Sequence, residues 1–211
     1  MRTPPRGPVD AGRRLAGQAP RQRHLTTIGD PRAALRPDLI VRDFQPDPTG
    51  LDARWCGDIT YIPTKEGWLY LATVIDIASR RVVGWATADH LRTDLVVDAL
   101  KAACRQRRPI GPVIFHSDRG CQYTSQQCTA SAEEFGVRLS VGRTGQCWGN
   151  ALAESSFATI KRELLDTFAW PSKAVARTAI FDFIEGWYNL RRLHSSLGYR
   201  SPAKYETALA A

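Results

Sequence analysis

Residues 54–87 contain three segments of strand-type sequence separated by two short turns, and this pattern constrains the fold most strongly. The segments cover residues 54–63, 68–77 and 82–87, and each is rich in β-branched and aromatic residues. Residues 65–67 and 79–81 supply the turns between them. Because connections this short join antiparallel neighbours, the sequence predicts a three-stranded antiparallel meander with the long apolar second segment at its centre.

Alternating helix and strand patterns follow this meander. Apolar residues recur at helical spacing over residues 93–107, where Thr93 is the expected N-cap. The later segments are a strand over 113–117, a helix over 125–135, a strand over 138–141, and helices over 150–165 and 172–192. Three antiparallel strands followed by strand–helix units predict an α/β domain, in which helices flank both faces of a mixed five-stranded sheet.

The positive charge of the chain is concentrated at its N-terminus. The chain has 29 basic and 21 acidic residues, a formal charge of +8, and residues 1–43 hold nine arginines and four aspartates. A basic excess is typical of chains that bind nucleic acid, although a soluble basic surface gives the same count. Residues 1–50 are rich in Pro, Gly and Arg without clear periodicity, so we expect little order there.

The composition disfavours three classes of protein. The sequence has no run of 18 apolar residues, which argues against a transmembrane helix, and its first residues lack the apolar segment of a signal peptide. The five cysteines are odd in number and form no C-x-x-C pair, so neither a disulfide framework nor a zinc site is expected. We therefore expect a cytoplasmic protein with no membrane partner.

Three acidic residues lie where packing alone does not explain them. Asp58 interrupts the first apolar strand, Asp118 follows the C-terminal end of the fourth strand, and Glu154 begins the helix after a Gly-rich loop. Because α/β sheets collect ligands at strand ends, we expect these carboxylates to converge. The alternatives are a turn residue for Asp118 and a helix-dipole complement for Glu154. Asp76 also lies in an apolar strand, and we expect it in a buried hydrogen bond or near the site, not among the ligands.

Convergent carboxylates repel one another unless a cation joins them. Mg²⁺ is a hard cation that takes oxygen ligands, and it meets that need. Two such ions about 4 Å apart can activate a water or a 3′-hydroxyl and stabilise the leaving oxygen in phosphodiester attack. The three acids therefore predict a metal site, with Asp58, Asp118 and Glu154 as both ligands and catalytic residues.

The helix that carries Glu154 offers two further contacts to DNA. Asn150, Glu154 and Lys161 are spaced by four and seven residues, so they share one helical face. Lys161 lies roughly 10 Å along the helix axis from Glu154, a suitable distance for a phosphate contact beside a metal site. A solvated surface lysine is the alternative.

Two other groups of side chains are candidates for DNA contacts. One flanks the second acid, and the other closes the last helix: His116, Arg119 and Gln122, and then Arg191, Arg192 and His194. Basic side chains in such places bind phosphates, but those at a helix C-terminus also complement the dipole, and a histidine at a strand end is often structural. Trp187 and Tyr188 are expected in the core.

Four motifs occur in order along the chain. They are Trp-x-x-Asp-Ile-Thr-Tyr at 55–61, His-Ser-Asp-Arg-Gly-Cys-Gln-Tyr-Thr-Ser at 116–125, Gly-Gln-Cys-Trp-Gly-Asn-Ala-Leu-Ala-Glu at 145–154, and a Tyr-Asn-Leu-Arg-Arg-Leu-His motif that begins at residue 188 and runs to Pro202. Asp118 and Glu154 are separated by 35 residues. Over about residues 40–206 the chain resembles the catalytic subunit (OrfB type) of bacterial insertion-sequence transposases, in the retroviral-integrase-like DDE superfamily.

This resemblance implies a ribonuclease-H-like fold and a triad of Asp58, Asp118 and Glu154 that uses Mg²⁺ or Mn²⁺. It also implies DNA strand cleavage and strand transfer at the ends of an insertion sequence, that is, transposition by DNA recombination. The implied partners are insertion-sequence ends, target DNA, further copies of the chain and a separate upstream transposase subunit, in the bacterial cytoplasm at the nucleoid.

The sequence departs from the family pattern at three places. Gly149 stands where the family has an acid before the Asn of the third motif, and Ser156 stands where it has an aromatic residue. Residues 1–40 show no helix-turn-helix segment of the kind that precedes the core in relatives, while residues 23–44 resemble the family's linker. We therefore expect a truncated or frameshifted N-terminus.

These expectations define a domain map and two rival functions. Residues 1–43 form a basic N-terminal segment or linker, residues 44–206 an integrase catalytic core with a C-terminal helical extension, and residues 207–211 a tail. The first rival is a truncated, inactive fragment that binds DNA or the transposase and inhibits it. The second is a host nuclease of the same fold, which the C-terminal motif argues against.

Overall fold

The chain forms an α/β domain in the computed structural model, which describes residues 28–41, 43–47, 50–142, 159, 162–163 and 170–210. The strands are β1 (Arg54–Thr64), β2 (Gly67–Asp76), β3 (Val82–Ala88), β4 (Val113–Ser117) and β5 (Val137–Val141). The helices in the described residues are α1 (Thr93–Arg107), α2 (Gln126–Glu134), α3 (Lys173–Phe181) and α4 (Pro202–Leu209). Short 3₁₀ turns cover Pro31–Leu35 and Ser195–Leu197, and a π-helical segment covers Asp182–Tyr188.

The five strands form one mixed sheet in the order β3-β2-β1-β4-β5. β1, β2 and β3 pair antiparallel, and β4 pairs parallel with both β1 and β5. The predicted meander, the two later strands and the mixed α/β fold class are therefore confirmed. The predicted cap of α1 is wrong, because Thr93 is the first residue of the helix and Arg92 precedes it without a side-chain capping bond.

Two apolar layers cover the sheet, one on each face. Leu100 of α1 and Phe115 of β4 belong to the layer beneath α1 and α2. Leu71 of β2 packs with Ile180 of α3 in the layer on the other face. These layers are formed by alternate residues of each strand, as the period of two in a strand requires, and they leave the ends of β1 and β4 at the edge of the core.

Residues 28–41 and 43–47 lie against the sheet domain through a few long-range contacts. Asp30 is buried, its carboxylate accepts hydrogen bonds from Thr129 Oγ1 and the Arg36 guanidinium (both 2.7 Å), and these bonds hold the segment against α2. Ile40 joins the apolar layer beneath α3, and Phe44 packs against it. Because three separated residues carry this docking, no periodic pattern in the sequence reveals it.

The C-terminal helical region is divided where the sequence predicts a single helix over 172–192. α3 begins after Ser172, whose hydroxyl accepts the Val175 N–H, and a π-helical segment replaces the α-helix from Asp182 to Tyr188. Tyr188 is buried as expected, whereas Trp187 is partly exposed. Asn189 then bonds both backbone groups of Val82, each at 3.0 Å, and so ties this region to the outer edge of β3.

α4 packs against the far end of the sheet through charged side chains. Glu206 accepts hydrogen bonds from Arg81 (2.6 Å) and Arg107 (3.0 Å), and Arg107 also bonds Asp52 at 2.7 Å. These arginines hold the pKa of Glu206 below its ordinary value in spite of its burial. In the part of the chain that the structure describes, no helix has the length and apolar character needed to cross a membrane.

Candidate active site

Asp58 and Asp118 meet where two neighbouring strands separate. β1 and β4 run parallel and pair as far as Cys56 and His116, so the same register continued by two residues sets Asp58 beside Asp118. β4 ends at Ser117 while β1 continues, and a cleft of about 180 Å³ opens between them. Both acids line this cleft, which is the convergence that the sequence predicts for them.

Local backbone geometry orients both carboxylates. The Oδ1 atom of Asp58 accepts the N–H of Ile59 at 2.8 Å, and the Oδ1 atom of Asp118 accepts the N–H of Gly120 at 2.9 Å. A Cβ on residue 120 would lie 2.9 Å from that Asp118 oxygen, so glycine suits this tight turn. Each acid therefore has one oxygen fixed by its own chain before any ligand arrives.

A packed column of three residues supports the floor of the cleft. A Cβ at Gly57 would lie 2.3 Å from Cζ of Phe115, so the ring of Phe115 occupies the space that glycine leaves. Phe115 in turn packs against Tyr123, with ring centroids 6.0 Å apart. Tyr123 lines the cleft beside the two acids, and this column therefore links the backbone next to Asp58 with the loop after Asp118.

The hydroxyl of Tyr123 is the polar group buried at this floor. It has no hydrogen-bond partner among the described residues. Burial raises the pKa of Tyr123 well above its ordinary value, and the charges of Asp58 and Asp118 raise it further. The hydroxyl is therefore a neutral O–H close to both carboxylates.

Asp76 lies outside the cleft, as the sequence predicts. Its carboxylate is buried and accepts the N–H and hydroxyl of Ser79 (2.7 and 2.9 Å) and the N–H of Asp52 (2.8 Å). Burial raises its pKa, and these hydrogen bonds oppose the shift. Asp76 thus closes the turn after β2, which is the buried hydrogen-bonding role expected of it.

Three of the predicted site residues lie outside the described residues: Asn150, Glu154 and Lys161. The structure therefore describes two of the three expected acids. Among the residues that it describes, no group of three or more His, Cys, Asp and Glu side chains is arranged to hold a metal ion. Asp58 and Asp118 supply hard oxygen donors of the kind that Mg²⁺ prefers, so they fit part of such a site and need a further ligand.

His116 has no exposed surface, so it does not reach DNA from this position. Its Nδ1 atom lies 2.9 Å from the Ser140 hydroxyl, and the edge of its ring meets Phe44 at a centroid distance of 5.9 Å. The histidine therefore fixes β4 against β5 and the N-terminal segment, two residues before Asp118. This is the structural alternative that the sequence leaves open.

Arg119 and Gln122 both lie in the loop after Asp118, and both are tied to the backbone. Arg119 is exposed, and its Nε donates to the carbonyl of Gly142 at 2.8 Å. Gln122 lines the cleft and donates to the carbonyl of Leu91 at 3.2 Å. Arg119 therefore presents charge next to the acid, while Gln122 fixes the opposite wall of the cleft.

The basic residues that follow the π-helical segment do not line the cleft. Arg191 is exposed, whereas Arg192 bonds the Glu163 carboxylate at 3.2–3.3 Å. Burial lowers the pKa of His194 to about 4, and the charges of Arg192 and Arg80 act in the same direction. His194 is therefore neutral at pH 7, which leaves Arg191 as the more available cation of the three.

Two tyrosines that the sequence did not single out also line the cleft. Tyr61 and Tyr70 face each other across β1 and β2, and Tyr61 is 59% exposed. The available signal was the register of the meander, since the turn at 65–67 sets these two residues opposite one another.

Comparisons with known proteins agree with this geometry. A model of the integrase core domain family matches residues 48–147, and a second integrase core domain model matches residues 135–202. The transposase for insertion sequence element IS904 of Lactococcus lactis subsp. lactis (strain IL1403) is 42% identical over 171 residues, 81% of this chain and 67% of that protein. The transposase InsF for insertion sequence IS3A of Escherichia coli (strain K12) is 40% identical over 169 residues, 80% of this chain and 58% of that protein.

Solved structures show the same fold at low sequence identity. The HTLV-2 integrase catalytic core domain in complex with magnesium (trimeric form) has a TM-score of 0.55 and 17% identity, over 74% of this chain and 97% of that chain. A chain of the simian T-cell lymphotropic virus intasome in complex with PP2A regulatory subunit B56 gamma has a TM-score of 0.61 and 16% identity, over 84% and 60%. The mixed sheet described above is therefore that of an integrase catalytic core, which is ribonuclease-H-like.

Proposed function

This chain belongs to the family of insertion-sequence transposases with an integrase core domain, and from that premise we propose that it is a DDE transposase core that cleaves and joins DNA strands at insertion-sequence ends. The observation that carries the proposal is the pair Asp58 and Asp118 in one cleft at the point where β1 and β4 separate. Glu154, at the family's spacing from Asp118, is the third member of the proposed triad.

The metal belongs to the same proposal. Asp58, Asp118 and Glu154 would hold Mg²⁺ or Mn²⁺, and we infer two ions from the chemistry of phosphodiester attack. When bound, such ions polarise the scissile phosphate and lower the pKa of the attacking hydroxyl. The protein's own part is to keep one oxygen of each aspartate fixed by a backbone N–H. The two carboxylates therefore need not reorient when ligands bind.

The reaction has two steps that use the same carboxylates. Water first attacks a phosphodiester at the element end, which breaks the bond to the 3′-oxygen and leaves a 3′-hydroxyl and a 5′-phosphate. That hydroxyl then attacks a phosphodiester of the target in line, joins the target's 5′-phosphate and displaces a target 3′-hydroxyl. The nucleophiles of these two steps are water and a DNA 3′-hydroxyl, and among the described residues Tyr123 of the cleft is a buried neutral phenol. A covalent protein–DNA intermediate is therefore not part of the scheme.

DNA contacts and partners extend the proposal beyond the cleft. Arg119 and Arg191 are exposed cations available to phosphates, and Asn150 and Lys161 remain candidates from the sequence. This chain spans 67% and 58% of the two transposases named above. From its family we infer that it acts as a homo-oligomer, together with an upstream subunit that supplies end recognition. The place of action is the bacterial nucleoid.

A strand-cleavage assay tests the proposed function. The purified chain is mixed with labelled DNA that carries the element's terminal repeats, with Mg²⁺ or Mn²⁺, with and without the upstream subunit. We expect metal-dependent nicking at the repeat ends, reduced at least about 10³-fold in Asp58→Asn, Asp118→Asn and Glu154→Gln, which each remove a ligand charge. Asp98→Asn is the matched control, because Asp98 is an exposed aspartate of α1 that does not line the cleft.

Two outcomes contradict the proposal. Nicking that survives in Asp58→Asn and Asp118→Asn would show that another nuclease or another site is responsible. DNA binding without nicking, even with the upstream subunit and either metal, would leave a DNA-binding protein and not an enzyme.

A further inference from the structure

The exposed face of the β1–β2 hairpin carries three aromatic rings beside the acidic cleft. Tyr61 pairs with Tyr70 across the two strands, and Trp68 lies two residues from Tyr70, so all three rings share one face of the hairpin. Tyr61 is 59% exposed and Trp68 is 50% exposed. We call these three residues the aromatic shelf.

The shelf is rigid. The rings of Tyr61 and Trp68 meet nearly perpendicular, with centroids 5.3 Å apart, and β1 and β2 pair continuously up to the turn. At the turn the Lys65 N–H donates to the carbonyl of Trp170 at 3.1 Å, and Glu66 accepts the N–H of Lys173 at 2.9 Å. Rings held in this way lose little conformational freedom when a ligand stacks on them.

The position of the shelf relative to the acids suggests its ligand. Tyr61 is three residues past Asp58 on the same strand, which is about 10 Å along the sheet. That is about three nucleotide steps at the 3.4 Å rise of a B-form strand. The odd spacing of Asp58 and Tyr61 places their side chains on opposite faces of β1, but Tyr61 and Tyr70 line the cleft together with Asp118. A strand whose phosphate lies at Asp118 therefore passes its next bases over these rings.

The chemistry of the shelf fits an unpaired base better than an intact duplex. Every base has a π-face that stacks on aromatic side chains, and that contact is made by bases that are not already stacked in a helix. Arg119, the exposed cation in the loop after Asp118, supplies attraction for the backbone. Without a stacked base, the rings of Tyr61 and Trp68 leave apolar surface in water at the edge of the cleft.

We propose that the aromatic shelf binds an unpaired base of the DNA end, within about three nucleotides of the scissile phosphate, by stacking on Tyr61 with Trp68 as its support. The inference rests on the proposed function, because it takes DNA as the substrate of the cleft. It assigns to β1 a second role, since the strand then carries both a catalytic acid and a base-binding ring.

Fluorescence of 2-aminopurine tests this assignment without any cleavage. The probe is a forked DNA duplex with three unpaired nucleotides at one end, each position in turn carrying 2-aminopurine, together with its blunt counterpart. Binding to the full chain is measured in EDTA, so that no strand is cut. We expect about tenfold tighter binding of the forked probe and quenching of at least one of the three positions by stacking.

Matched variants separate stacking from other effects. Tyr61→Ala should lose the quenching and the tenfold preference, Tyr61→Phe should retain both because its ring still stacks, and Trp68→Ala should weaken both in part. Tyr199→Ala is the control, because Tyr199 is an aromatic residue of the C-terminal region that is 73% exposed and does not line the cleft. It should behave as the unaltered chain.

Several results would overturn the inference. Equal binding of forked and blunt DNA, or no binding of either, would contradict it. So would the same loss of quenching and preference in Tyr199→Ala as in Tyr61→Ala. An effect of Tyr61→Ala on the sedimentation coefficient alone would show that the shelf is a contact between copies of the chain. Quenching without cleavage in Mg²⁺ would support the shelf and contradict the proposed function. Cleavage that Asp58→Asn abolishes, with no quenching in the unaltered chain, would support the proposed function and contradict the shelf.

Discussion

Gly57→Ala is the most direct test of how the fold supports the acids. The added Cβ would lie 2.3 Å from Cζ and 2.6 Å from Cε2 of Phe115. Carbon atoms pack at about 3.5–4.0 Å, so the ring must retreat by more than about 1 Å. Overpacking of this kind costs about 1–3 kcal/mol, and the stiffer unfolded chain recovers about 0.4–1 kcal/mol of it.

We therefore expect Gly57→Ala to be less stable by about 1–2 kcal/mol, which lowers the melting temperature by about 2–8 °C for a domain of this size. The displaced ring packs on Tyr123, which lines the cleft with Asp58 and Asp118. A displacement near 1 Å at a catalytic site can cost about 100-fold in rate. Urea denaturation and the strand-cleavage assay measure the two effects separately.

A double-mutant cycle decides whether Phe115 is the cause. Phe115→Leu alone costs about 1–2 kcal/mol through lost packing, but it also vacates the space that the new Cβ needs. The pair Gly57→Ala with Phe115→Leu should therefore be no less stable than Phe115→Leu alone, a coupling of about 1–2 kcal/mol. Gly111→Ala is the control, because its Cβ meets nothing within 4 Å. Additive losses in the cycle would refute the reasoning.

Three further predictions follow from buried polar groups. Tyr123→Phe should leave the free energy of unfolding unchanged or raise it by up to about 1 kcal/mol, because it removes a buried hydroxyl with no partner among the described residues. A clear decrease of that free energy in urea denaturation would contradict this. The pKa of His194 is about 4 in the folded state, against an ordinary value of 6.5. The free energy of unfolding should therefore fall as pH falls from about 6.5 towards 4, because the unfolded chain binds the proton more tightly. His194→Gln should flatten that part of the pH–stability curve. Asp30→Ala should destabilise by about 2–3 kcal/mol, because it leaves the buried Arg36 guanidinium without its carboxylate partner. Limited proteolysis should then cut residues 28–41, and resistance equal to the unaltered chain would show that this docking is unimportant.

The regular elements were predictable because their signals are local. Alternation of apolar residues and two tight turns fix the β1–β2–β3 meander, and apolar periodicity fixes α1 within the predicted bounds. α4 carries a local signal as well, because Ser201 before Pro202 is a cap followed by a first-turn proline, and the serine accepts the Lys204 N–H.

The π-helical segment and the docked N-terminal segment were not predictable in the same way. Asp182–Tyr188 continues an apolar stripe that an α-helix would show equally, and only the bond from Asn189 to the edge of β3 distinguishes the two. Likewise, no local pattern in the sequence of residues 28–47 predicts that Asp30 is buried against Thr129. Both features depend on partners more than 90 residues away in the chain.

The two acids were predictable as a pair, because each interrupts or ends an apolar strand and the ends of neighbouring strands meet at one edge of an α/β sheet. Their cleft was not, since it depends on β4 ending at Ser117 while β1 continues to Thr64. The role of His116 shows the same limit. A histidine two residues before an acid suggests a substrate contact, and only the fold reveals that its ring is enclosed.

The enclosed His116 connects the N-terminal segment to the second acid. Its Nδ1 atom contacts the Ser140 hydroxyl, and that same hydroxyl accepts the N–H of Leu39 at 2.9 Å, while Phe44 packs on the imidazole ring. Two residues later the strand delivers Asp118 to the cleft. Because the register between β1 and β4 sets the distance between the acids, whatever holds β4 in place also holds the acids together. Leu39 and Phe44 are therefore part of the support of the site, although the sequence predicts a linker there.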